Sequence, residues 1–146
     1  MAITTNAIAN SFKKELLEAK HNFTQTSGDQ FKIALYTNSA TLGKSTISFT
    51  RDHQVSITGQ YTSGGGKLAK GSQQTSVASS VAIVDFADRS FTGVTLTARG
   101  ALIYNTSNSN TAVAVLDFGG DKTATAGTFT IQFPAFTTSA AILRIS

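Results

Sequence analysis

Four aspartates stand in two matching settings, Asp85-Phe-Ala-Asp88-Arg89 and Asp117-Phe-Gly-Gly-Asp121-Lys122, each ending an apolar run with two acids and a base. Clustered carboxylates are what a hard cation takes as ligands, so a shared Ca²⁺ site is one chemistry this spacing allows. The other is turn chemistry, in which Asp side chains accept hydrogen bonds from nearby backbone N–H groups and Arg89 and Lys122 are exposed partners. Turn chemistry explains the repeat without a metal, and no metal ligand is assigned.

The remaining reactive types form no constellation. No Gly-x-Ser-x-Gly elbow occurs, and His21 and His53 lie in polar segments where a solvated loop role accounts for both. Gly43-Lys44-Ser45 has the ending of a phosphate loop, but Asn38 stands where the upstream glycine belongs, and strand-like Thr46–Thr50 follows in place of a helix. Gly64-Gly-Gly-Lys67 fails at Leu68, where Ser or Thr would reach a metal. Asp117-Phe-Gly119 matches a kinase tripeptide without its lysine strand or catalytic loop. The chain is therefore read as having no catalytic residue, no cofactor and no enzymatic activity.

The elements that would hold these residues follow from composition and periodicity. At 146 residues the chain fits one domain, 1–146. Charged residues make up only 14%, and Thr, Ser, Ala and Gly dominate, a profile suited to pleated, half-exposed strands. The net charge of +4 comes from bases scattered along the chain rather than gathered with aromatics, which argues against nucleic acid as a partner. Zero cysteines exclude disulfides and thiolate metal sites. The start lacks the basic and apolar regions of a secretory signal. The apolar runs Val81–Val84 and Ala112–Leu116 fall far short of the roughly 20 residues that span a bilayer. Synthesis in a cytoplasm with no membrane partner is expected.

Thr4, Thr5 and Asn6 can cap a helix, and Ile8, Phe12 and Leu16 then recur at four-residue spacing with Ala9 and Leu17 widening the stripe; an amphipathic helix is predicted over about 6–20. Phe31, Ile33 and Leu35 alternate with Lys32, Ala34 and Tyr36, the mark of a half-buried strand. Thr46–Thr50 and Gln54–Thr58 are candidates for short strands. Between them and the next strand the glycine-rich run Gly59 to Gly66 predicts a surface loop. Thr75 to Phe86 reads as a strand whose apolar centre is buried on both faces or lies beneath the helix. Phe91–Thr97, Ala101–Tyr104, Thr111–Phe118, Thr128–Phe133 and Ala140–Ile145 complete a set at near-regular spacing, with a reversal at Gly119-Gly-Asp-Lys and Pro134 just past a strand. The prediction is a mainly β fold, an antiparallel β-sandwich or barrel, jelly-roll-like, with one N-terminal amphipathic helix.

The strings Met1-Ala-Ile-Thr-Thr-Asn-Ala-Ile-Ala-Asn-Ser-Phe-Lys-Lys-Glu-Leu-Leu, Phe31-Lys-Ile-Ala-Leu-Tyr-Thr-Asn-Ser-Ala-Thr-Leu-Gly, Ala98-Arg-Gly-Ala-Leu-Ile-Tyr-Asn and Ala112-Val-Ala-Val-Leu-Asp-Phe-Gly-Gly-Asp-Lys-Thr-Ala-Thr-Ala-Gly resemble a family of small virion structural proteins of tailed bacteriophages. Members often carry a cysteine where this chain has Ala9, so a thiol there has no indispensable role here. The resemblance implies a non-enzymatic part of the virion, a homo-oligomer in contact with other capsid or tail proteins, either as capsid decoration or at the neck or tail. A tail-fibre module binding cell-surface glycans through exposed Tyr61 or Tyr104 is the alternative. Long loops in compact domains tend to be functional, which makes Gly59, Tyr61, Gly64, Gly65, Gly66, Asn105, Asn108 and Asn110 the candidate partner-binding residues.

Overall fold

The computed structural model describes residues 2–134, 137 and 139–146, so Met1 lies outside the described residues. In chain order the elements are β1 (Ala7–Ile8), α1 (Asn10–Leu17), β2 (Phe31–Tyr36), β3 (Gly66–Lys67), β4 (Lys70–Ala78), β5 (Val81–Phe86), β6 (Arg89–Asn105), β7 (Thr111–Ile131) and β8 (Leu143–Ile145). All strand pairs are antiparallel, in a five-stranded sheet ordered β1-β7-β6-β2-β3 and a three-stranded sheet ordered β4-β5-β8. No pairing among the described residues joins the end strands of either order, so neither sheet closes into a barrel.

The axis of the larger sheet is the β6/β7 hairpin, which pairs from Arg89↔Ile131 to Asn105↔Thr111. The segments 91–97 and 101–104 are thus one strand, as are 111–118 and 128–131. The reversal predicted at Gly119-Gly-Asp-Lys does not occur. Ala98 pairs with Lys122 and Gly100 with Asp117, so the extra residues of β7 are absorbed as a bulge, and Gly119 supplies the positive φ of 78° it needs. Gly100 lies opposite, where a Cβ would come within 2.6 Å of the Leu116 carbonyl.

The helix is shorter than predicted because its first residues do other work. Ala7 and Ile8 pair with Val115 and Ala114, and Ala9 N–H donates to Val113 C=O at 3.0 Å, which extends the sheet and delays the helix until Asn10. The N-cap is Ala9, with no side-chain cap; Asn6 Oδ1 instead accepts the Asp117 N–H at 2.6 Å. Phe12 and Ala9 are buried and Ile8 and Leu16 half-buried, but Leu17, expected in the stripe, is 92% exposed.

β2 is buried on both faces apart from Lys32, more than its alternation predicts. It sits between β6 and β3, and Tyr36 reaches out to donate its hydroxyl to Thr50 C=O at 2.6 Å. The segments 46–50 and 54–58 form isolated bridges (Ser48↔Thr111, Tyr36↔Gln54, Thr58↔Tyr61) rather than strands. The predicted strand over 75–86 is the β4/β5 hairpin. It turns at Ser79 and Ser80, both at positive φ (48° and 65°), as a two-residue hairpin turn requires. Its apolar run is not buried on both faces: Ile83 is buried, Val81 and Val84 are half-buried and Ala82 is exposed.

One aromatic cluster joins the two sheets. Phe23 stacks on Phe31 of β2 at 4.6 Å, and Phe31 meets Phe86 of β5 at 5.6 Å between centroids. No helix among the described residues is long and apolar enough to cross a membrane.

Candidate functional site

The Gly59–Gly66 segment, expected on the surface, turns half of its residues inward. Tyr61 is 0% exposed: its hydroxyl accepts the Leu35 N–H at 2.8 Å and donates back to Leu35 C=O at 3.3 Å, and Gln54 Nε2 adds a third bond at 3.1 Å. Burial raises its phenol above the ordinary range. Gly64, Gly65 and Gly66 are buried and Gly59 is exposed. At Gly65, φ is +81° and a Cβ would lie 1.9 Å from the Ile33 carbonyl oxygen. Only glycine lets the loop approach β2 this closely. The loop's first turn also covers the edge of β6 beyond β2: Gln60 N–H donates to Thr92 C=O at 3.1 Å and Thr95 N–H to Thr58 Oγ1 at 3.0 Å.

Tyr104 binds the two candidate loops together. It is 2% exposed, its hydroxyl donates to Gly64 C=O at 2.5 Å, and burial pushes that phenol up to about 12. Phe49 stacks on it at 4.7 Å. The exposed glycan platforms predicted at Tyr61 and Tyr104 are therefore both core residues.

Asn105 is fully buried in a polar chain that no local sequence pattern announces. Its Nδ2 donates to His21 Nδ1 at 2.9 Å and to Asp29 Oδ2 at 2.7 Å, while its Oδ1 accepts the Ser107 N–H at 2.9 Å. That arrangement leaves the ring proton on His21 Nε2, which faces Glu15 Oε1 at 3.2 Å. Both polar atoms of the Asn105 side-chain amide are engaged. His21, expected to be solvated, is buried against the Phe12 ring at 4.7 Å. Asn108 Nδ2 donates to Lys20 C=O at 2.9 Å, and Asn110, exposed and at φ 58°, accepts the Phe49 N–H on its carbonyl. The 105–110 turn is thus tied down, with Asn110 and half-buried Asn108 left at its surface.

The two Asp motifs do not converge. Asp88 Oδ1 accepts the Phe133 N–H at 2.8 Å, Asp117 accepts the Gly119 N–H at 2.8 Å and pairs with Arg99, and Asp121 accepts from Asn38 Nδ2 at 3.1 Å. The base at Asp117 is Arg99 rather than Lys122, and Arg89 instead lies over the Phe91 ring at 4.8 Å. Among the described residues no group of three or more His, Asp or Glu is placed to hold a metal ion.

The Ile8/Phe12/Leu16 helix face, the sequence's alternative partner surface, faces the small sheet across an apolar groove of about 470 Å³ whose opposite wall no local pattern announces. One wall is the Ile8/Phe12/Leu16 face of the helix, and the other is built by β4, β5 and β8. The signal is present in Val77, Ala82 and Ile145, but only strand register puts these distant residues in one row. No protein family model, curated protein or solved structure matches this chain.

Proposed function

We propose that this chain is a non-enzymatic structural component of a tailed-phage virion, present in many copies as capsid decoration or at the neck or tail. The observation that supports the reading is where the resembling strings fall. Residues 2–17 cover β1 and α1, 31–43 cover β2, 98–105 the inner half of β6 and 112–127 most of β7, so they fall on four of the five strands of the larger sheet. We take the two sheets as layers of a β-sandwich, because Phe31 of one and Phe86 of the other meet in a shared cluster. Gly59, Asn108 and Asn110, the candidate partner-binding residues with surface to offer, are where contact with neighbouring virion proteins is placed. A glycan-binding tail-fibre role has no such support, since the two tyrosines it relied on are buried.

Antibody labelling of intact particles, imaged by electron microscopy, tests this directly. Label over the head assigns capsid decoration, and label at the neck or tail assigns attachment there. Protein detectable in infected cells but never on particles would overturn the virion reading.

A further inference from the structure

We propose that the groove between α1 and the β4-β5-β8 sheet binds a free amphiphile, an aliphatic chain carrying an anionic head. The register Val77↔Ala82↔Ile145 places three residues in one row across the sheet, and Thr75↔Val84↔Leu143 forms the next row on the same face. That face also carries Phe86, two residues beyond Val84, which is buried in the aromatic cluster. Along it, burial therefore falls from Phe86 and Leu143 to Val77 and Ile145, which are 72% and 61% exposed. The sheet overhangs its own core, and the overhang looks across open space at Phe12 and its neighbours on α1.

The chemistry of the lining selects the occupant. The groove's volume is about 470 Å³. Small-molecule sites usually run from about 300 to about 1000 Å³, so a single modest ligand suits this one. Apart from Thr75 and Ser76 the uncharged side chains that line it are apolar, so a polar body would leave hydrogen bonds unmade while a methylene chain leaves none. The ionisable side chains of the lining are Lys13 and Arg144, both cationic and both exposed; Arg144, from the next register row, also donates Nη1 to Ser139 C=O at 2.7 Å. The acids of α1 are engaged elsewhere, Glu15 with His21 and Glu18 with Lys14 and Lys20. A second copy packed face to face would bring the same two cations against this rim, whereas a carboxylate complements them.

Calorimetric and NMR titration with dodecanoate below its micelle concentration tests the assignment. Saturable one-to-one binding is expected, about tenfold or more weaker for decanoate because each buried methylene changes affinity roughly fourfold. Val77→Glu, at a position exposed enough to spare folding, should weaken dodecanoate at least tenfold, and Ile57→Glu, an exposed isoleucine outside the groove, should not. The Lys13→Gln/Arg144→Gln double variant should weaken dodecanoate several-fold without weakening dodecyltrimethylammonium. The proposal fails if dodecanoate does not saturate, if Val77→Glu binds as wild type does, if the cationic amphiphile binds equally well, or if association is seen only with phosphatidylglycerol vesicles.

Discussion

Burial pushes the Asp85 carboxyl above its ordinary range, its neighbour Asp88 adds to the effect, and Oδ1 has no hydrogen-bond partner among the described residues. The matching residue Asp117 is driven the other way, chiefly by the Gly119 N–H and then by Arg99. The two aspartates therefore act on stability with opposite signs. Because the folded Asp85 holds its proton more tightly than the unfolded one, its ionisation costs stability as pH rises through the ordinary carboxylate range to the raised value. Asp85→Asn should raise the Tm at neutral pH, and the gap should close in acid; an unchanged Tm at pH 7 would show the carboxylate to be solvated. Asp117 contributes stability above the ordinary carboxylate range that is lost as pH falls through its lowered value. Asp117→Asn should lower the neutral-pH Tm and flatten the acid limb of the unfolding profile, and a variant with the wild-type acid limb would sink that account. Sequence reveals the repeated motif but not this divergence, which depends on what each strand end packs against.

At the scale of elements, the two glycines with similar backbone angles make a controlled comparison. Gly65 and Gly119 have φ of 81° and 78°, but a Cβ at Gly65 collides with the Ile33 carbonyl while one at Gly119 meets nothing within 4 Å. Gly119→Ala should cost about 1–2 kcal/mol, the strain of a left-handed residue alone. Gly65→Ala adds a backbone clash that β2 cannot relieve without breaking its pairing with β6, so the loss should be at least twice as large by denaturant melting. Equal losses would mean the loop yields. This pair also marks what is legible in the chain: glycine clusters flag places where the backbone does something unusual, but a turn, a bulge and a close approach look alike in sequence. Alternation at Phe31–Tyr36 identifies β2, since period two survives whatever covers the second face. The helix begins later than its pattern because Asn6 and Ala7 find their partners far along the chain, at Asp117 and Val115, which no local pattern records.

On the scale of the whole molecule, the chain's first residues complete a sheet whose axis is formed near its far end. Ile3 is buried against Gly100, and β1 closes onto β7. Removing residues 2–9 should therefore destabilise the entire fold rather than release a tail, and a single cooperative melting transition at lower temperature is the expected readout. An unchanged Tm would show β1 to be dispensable. The mainly β, antiparallel class and the helix are readable from composition and period, and a two-sheet sandwich is one of the arrangements they allow; which strands join which sheet is not readable, since it depends on pairings such as Val84↔Leu143 between distant segments. The order of the larger sheet ends in β1 and β3, each two residues long, and the stretch of β6 that β2 leaves uncovered is capped by Thr58 and Gln60. Strand edges template fibrils when many copies are crowded together, and at the β3 end the edge is too short to give an incoming strand the backbone bonds that fix a register. At the other end β1 pairs with β7 only through Ala7 and Ile8, so the outer edge of β7 beyond Asp117 has no strand beside it among the described residues, and an added strand would find its template there rather than at β3.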